Sequence, residues 1–175
     1  MNSELPAPLR GIIVPMITPL KDFDTLDEKG LDNLIEHLIG GGVNGLFILG
    51  TTGEGTSLSY RSRKEIINKT CSKVKGRVPV LVGITDTAFM ESVAVAETAK
   101  DAGAQGLVVA HPPYFPATDP EILNYLKHLA REVPLPIFLY NMPSHTKLTF
   151  APQTIRDAAD IDGIVGLKDS SANLL

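Results

Sequence analysis

A single cysteine, Cys71, stands among 175 residues. No disulfide framework can form within the chain, which excludes the small disulfide-stapled folds of secreted proteins. One unpaired thiol accords with a reducing compartment. Positive charge is not in excess either: 16 Lys+Arg against 20 Asp+Glu leave a formal net charge of -4. A nucleic-acid partner calls for a basic face, so none is expected. The opening "MNSELPAPLR" lacks the apolar stretch of a signal peptide, and no apolar run reaches membrane-spanning length. The expectation is a soluble, cytoplasmic protein with no membrane association. Two phosphate-binding signatures are also missing. No G-x-G-x-x-G follows the first apolar run, and the glycine-rich stretch at 50–55 carries no P-loop lysine. This argues against dinucleotides and nucleoside triphosphates, and neither a cofactor nor a metal is expected.

What is present is a rhythm. Short apolar runs recur as "GIIVPMIT" (11–18), "GLFILG" (45–50), "VPVLVGI" (78–84), "GLVVA" (106–110), "LPIFLY" (135–140) and "GIVGLK" (163–168). Each is β-branched or aromatic-rich and bounded by Gly or Pro, as strands buried on both faces are. Helical patterns lie between them. Leu31, Leu34, Ile35, Leu38 and Ile39 form a stripe at helical spacing. Thr25 with Glu28, and Thr118 with Glu121, read as capping boxes. The stretches 59–74 and 88–102 read as two more helices, the latter closed by Gly103.

Strand alternating with helix every 30 residues or so implies parallel strands joined by crossover helices. A doubly wound sheet and a (β/α)8 TIM barrel both fit this α/β pattern. The proline-interrupted first strand and the polar strand ends suit the barrel better. A full barrel takes about 250 residues. The expectation is therefore one barrel domain over 1–175, incomplete at its C-terminus, covering about six strands of a longer gene product.

In such barrels chemistry gathers at the C-terminal strand ends. "GTTGEG" (50–55), "YNMPSHT" (140–146) and Lys168 in "GLKDSS" fall there. By strand alternation Gly166 and Ile164 share the Lys168 face, while Val165 and Leu167 point toward the helices. Gly166 then leaves room beneath a lysine directed into the barrel. A strand-end lysine can equally snorkel to solvent. In an apolar pocket its pKa falls from about 10.4 toward 7–8, at a cost of roughly 4 kcal/mol, and the neutral amine can attack a carbonyl to form a Schiff base. The "GTTGEG" turn offers backbone N–H groups and the Thr51 and Thr52 hydroxyls to a carboxylate or phosphate. It also suits an ordinary strand-to-helix turn. Tyr140 ends the fifth strand, beside the sixth, where its phenol can relay protons or serve packing alone. His145 can meet substrate or solvent. Cys71 reads as a small core residue.

Together, "GTTGEG", "YNMPS" and "GLKDSS", in this order and on these strands, resemble the dihydrodipicolinate synthase / N-acetylneuraminate lyase family. The likeness extends from "VPMITPL" to the lysine segment. It implies a barrel that makes or cleaves a C–C bond to a 2-keto acid, usually pyruvate, through a lysine imine. On this resemblance Lys168 is the imine-forming lysine and Tyr140 the proton shuttle. Thr51 and Thr52 hold the carboxylate, and Tyr114 reaches the site of a neighbouring subunit. The partners implied are a small-molecule 2-keto acid and an aldehyde, in a homodimer or homotetramer.

One residue departs from the pattern. Dihydrodipicolinate synthases proper resemble "YNxPSRT", with an arginine where this chain has His145. An arginine fork binds a second carboxylate bidentately, and histidine does neither this nor stays charged at neutral pH. The expectation is therefore a lyase or aldolase whose aldehyde is sugar-acid-like and for which aspartate semialdehyde is a poor acceptor. The alternatives are dihydrodipicolinate synthase itself, a dehydratase of 2-keto-3-deoxy sugar acids, and a non-catalytic keto-acid-binding relative.

Overall fold

The computed structural model describes residues 5–173. Six strands, β1 (Ile13–Pro15), β2 (Gly45–Ile48), β3 (Val80–Gly83), β4 (Gly106–Ala110), β5 (Ile137–Asn141) and β6 (Ile164–Asp169), form one sheet in chain order. Every pairing is parallel. Helices α1 (Glu28–Gly40), α2 (Tyr60–Val74), α3 (Phe89–Ala102) and α4 (Asp119–Glu132) make the first four crossovers; α5 (Pro143–Thr146) and α6 (Pro152–Ala159) make the fifth.

Two apolar layers follow from the alternation of side chains along each strand. Leu46, Ile48, Val82, Leu107, Val109 and Leu139 join Ile35, Ile66, Ala96 and Leu129 of the helices in the principal core. The opposite face of the sheet carries Phe47, Leu81, Val108, Ala110 and Tyr140, packed as a second cluster. Phe47 and Tyr140 meet edge to face with ring centroids 6.1 Å apart, although they lie three strands apart. In a flat sheet that separation is about 14 Å. The sheet therefore curls, and the second cluster is the interior of a partial (β/α)8 barrel.

Local structure follows the expected signals with three exceptions. The α4 capping box forms, with the Thr118 N–H donating to the Glu121 carboxylate at 2.7 Å. Ser59 caps α2 by accepting from the Ser62 N–H. Gly103 ends α3 with φ 89°. The Thr25–Glu28 box does not form. The Thr25 N–H donates instead to the Asp22 side chain at 2.9 Å, and α1 starts behind Asp27. A local turn at Asp22 wins over the helix cap, as short polar side chains allow. Helices α5 and α6 are too short for their periodicity to show in the sequence.

The third exception is β6. Ile137 pairs with Ile164, but Phe138 pairs with Gly166, so a bulge absorbs Val165. The extra residue reverses the alternation below it. Ile164 packs against the principal core rather than sharing the Lys168 face, and Val165 lines a hollow with Leu9 and Phe138. Above the bulge Tyr140 pairs with Lys168 as expected, but Leu167, 39% exposed, joins neither apolar cluster. The room left by Gly166 is taken by the Phe138 ring, 2.7 Å from where a Cβ would stand. Among the described residues no helix is long and apolar enough to cross a membrane.

Candidate active site

A cavity of about 350 Å3 opens at the C-terminal ends of the strands, with Thr51, Glu54, Gly83, Thr85, Tyr140 and His145 in its wall. Strand register brings its chemistry together. Tyr140 and Lys168 are direct neighbours on β5 and β6, and the Lys168 Nζ lies 3.8 Å from the centroid of the Tyr140 ring. A cation over an aromatic face is held by the ring quadrupole. The ammonium also donates to the Ser170 Oγ at 2.8 Å. Across the barrel, the Thr51 Oγ1 stands 3.4 Å from the Tyr140 hydroxyl.

These neighbours act on the Tyr140 phenol. Burial opposes its ionisation, but the Thr51 hydroxyl and the Lys168 ammonium outweigh burial and hold its pKa below the ordinary 10.0. A phenol so placed accepts and returns protons more readily at neutral pH.

The turn after β2 is shaped to present backbone. Leu49 adopts φ 56° and Glu54 φ 54°, both left-handed. For Leu49, 6% exposed, that conformation costs about 1 kcal/mol or more and persists because its surroundings leave no alternative. The turn closes through Gly53 N–H to Gly50 O, Glu54 N–H to Thr51 O and Gly55 N–H to Gly50 O. These bonds leave the Thr51 and Thr52 N–H groups unused. Beneath the turn a buried pair ties α2 to the loop after β3. Arg63 donates to Asp86 at 2.7 Å, to the Leu58 carbonyl at 3.1 Å and to the Thr56 carbonyl at 3.4 Å. Burial alone would raise the Asp86 pKa, but the Ala88 N–H and the Arg63 guanidinium hold it below 3.8.

Beside Lys168, Asp169 turns away from the cavity. Its carboxylate accepts from the Ser171 hydroxyl at 2.9 Å and from the Asn141 amide at 2.7 Å. The Asn141 oxygen accepts the Phe150 N–H in turn. The end of β6 is thus clamped to the end of β5.

The residues from position 8 to 175 match the family model described as the dihydrodipicolinate synthetase family. The chain belongs to this family. The 4-hydroxy-tetrahydrodipicolinate synthase of Oleidesulfovibrio alaskensis is 39% identical over 165 residues, covering 94% of this chain and 56% of the relative. The structure of dihydrodipicolinate synthase from Bacteroides thetaiotaomicron superposes with a TM-score of 0.91 at 57% identity, over 95% of this chain and 56% of that one. That of the chloride-inhibited dihydrodipicolinate synthase of Acinetobacter baumannii, complexed with pyruvate, gives 0.89 at 31% identity, over 93% and 56%. The chain spans about half the length of the curated relatives it matches.

Of the residues singled out from sequence, this member of the family sets Thr51, Tyr140 and His145 in the cavity wall, with Lys168 against the Tyr140 ring behind it. The His145 Nδ1 lies 2.9 Å from the Ser144 Oγ. Thr52 is exposed beside the cavity rather than lining it. Tyr114 is 86% exposed, stacked edge to face on Phe115, and takes no part in the wall. The sequence reading does not single out Ser170, Asn141 or the Arg63–Asp86 pair. Ser170 follows Lys168 by two residues, so strand alternation flags it. Asn141 and the Arg63–Asp86 pair leave no such signal, because their partners are 28 and 23 residues away.

Proposed function

We propose that this chain carries the imine-forming site of a class I lyase that acts on a 2-keto acid, pyruvate first among them. The observation that carries the reading is the Lys168 amine seated on the Tyr140 ring, with Thr51 at the phenol, and with Tyr140 and Thr51 in the cavity wall. The Thr51 and Thr52 amides and the Thr51 hydroxyl would take the carboxylate, since hydrogen bonds to an anion are the strong ones. The neutral Lys168 Nζ attacks the keto carbon and the C=O pair moves to oxygen. That oxygen takes one proton from the added nitrogen and a second from Tyr140, and leaves as water with the protonated imine behind it. The protonated imine is an electron sink, so it loses a proton from the adjacent carbon to form an enamine. The enamine attacks an aldehyde, or the reverse sequence cleaves the C–C bond.

Pyruvate bound to the Acinetobacter baumannii relative supports the choice of keto acid. The relatives' name favours aspartate semialdehyde as the aldehyde, which is the synthase reaction. A hydroxylated, sugar-acid-like aldehyde is the second reading, and His145 in the cavity wall is the observation that favours it. The exposure of Tyr114 suits a role at a second subunit, in a homodimer or homotetramer.

Intact-mass spectrometry after incubation with pyruvate and borohydride tests the central claim. A reduced pyruvyl adduct that vanishes in Lys168→Ala is the expected result. An adduct retained in the variant refutes the role of Lys168, and the absence of any adduct on the folded parent chain refutes the reading. Parallel assays with aspartate semialdehyde and a hydroxylated aldehyde then separate the two acceptors.

A further inference from the structure

The strand-end lysine has few neighbours that can accept its protons. Asp169 is adjacent in sequence, yet its carboxylate is engaged by Asn141 and Ser171. Lys168 forms no ion pair among the described residues, and the acceptor of its Nζ is the Ser170 Oγ at 2.8 Å. The aromatic face of Tyr140 supplies the other contact. Main-chain geometry fixes this serine. The Ser170 N–H donates to the Asn141 carbonyl at 2.9 Å, so the residue stays on the β5–β6 ladder beyond the last strand pair.

We propose that Ser170 is a further residue of the imine-forming site, whose hydroxyl aims the Lys168 amine and, being neutral, lets that amine give up its proton. The proposal rests on the imine reading above. An amine that donates one N–H to the Ser170 Oγ is restrained in the rotation of its long stem. Fixing the attacking atom converts entropy otherwise lost in the transition state into rate. The neutrality of the acceptor is the second half. A carboxylate at 2.8 Å would favour the ammonium, because an opposite charge stabilises the charged form of its neighbour. A hydroxyl holds the group through the same geometry with far less preference between ammonium and amine. Asp169 is the neighbouring carboxylate, but strand alternation puts it on the other face and Asn141 holds it there.

The test is the rate of imine formation, followed by borohydride trapping on the full chain at saturating pyruvate and, separately, at varied pyruvate. Ser170→Ala is expected to slow trapping about tenfold with little change in half-saturating pyruvate, and tenfold corresponds to about 1.4 kcal/mol of activation free energy. Ser170→Thr keeps the hydroxyl and is expected to recover most of the rate. Ser170→Asp keeps an acceptor but adds charge, so trapping should slow at neutral pH and recover as pH rises, its rising limb displaced upward from the parent's. Circular dichroism and the thermal midpoint identify any variant that loses its fold. Unchanged trapping in Ser170→Ala overturns the aiming role, and a Ser170→Asp profile superimposable on the parent's overturns the role of neutrality. If the parent chain itself yields no adduct, the imine reading falls and this proposal with it.

Discussion

Replacing Arg63 by methionine probes the frame beneath the candidate site. The Arg63 side chain is 10% exposed and that of Asp86 6%, with 2.7 Å between their charged atoms. Methionine fills similar volume but removes the charge and three donated hydrogen bonds. The Asp86 carboxylate then keeps the Ala88 N–H at 3.0 Å and the Tyr60 hydroxyl at 3.3 Å, with no cation beside it. Breaking one side of a buried pair costs about 3–5 kcal/mol, mostly the penalty on the stranded charge. Arg63→Met is therefore expected to destabilise by about 4 kcal/mol in urea denaturation. Asp86→Asn should also destabilise, by stranding Arg63. The double variant Arg63→Met/Asp86→Asn should be more stable than the summed single effects predict, by about 1–3 kcal/mol. The acid limb adds a signed test. Because the folded Asp86 pKa lies below the usual 3.8, its stabilisation is present above that value. It is lost as pH falls through the folded pKa. Without Arg63 the acid limb should begin at higher pH. A cost below about 1 kcal/mol for Arg63→Met, or strict additivity in the double variant, would refute the reasoning.

Two further predictions rest on single residues. Gly83→Ala puts a Cβ 2.3 Å from the Leu49 carbonyl oxygen and 2.8 Å from its carbon. Main chain must move at the very turn that carries Thr51, so a loss of about 1–3 kcal/mol should accompany slower pyruvate trapping; an unchanged thermal midpoint and trapping rate would show that the turn yields freely. His111 is 6% exposed, its Nδ1 has no partner among the described residues, and burial pushes its pKa below 6.5. Its neutral form is favoured in the folded chain, so the stabilisation is present above pH 6.5 and is lost as pH falls through the lower, folded value. Denaturation across that range should show a decline that His111→Phe flattens, and identical slopes in the two chains would refute it.

The barrel was legible because β2 to β5 are buried on both faces and read as short apolar runs, while α1 to α4 are long enough to show a stripe. The three motifs at the strand ends were legible for a related reason. A parallel sheet delivers every strand's C-terminus to one side, so Thr51, Tyr140 and Lys168 needed only the right strands to become neighbours. What alternation could not supply was the bulge at Val165. Nothing in "GIVGLK" distinguishes a regular strand from one with an extra residue, since Val165 and Ile164 suit either face. Register is decided by partners on β5, where Ile137 and Phe138 each claim a residue and leave Val165 over.

Alternation also sets Ser170, not Asp169, on the Lys168 side of the strand end. In the structure the Asn141 amide, 28 residues earlier, holds the Asp169 carboxylate, while Ser170 stands at the amine. That choice bears on reactivity more than on stability. A carboxylate at the amine would favour its charged form, whereas a hydroxyl favours it far less. On the proposed imine reading, Asn141 is where the sheet reaches into the chemistry: it occupies Asp169 and leaves the Lys168 amine to Ser170.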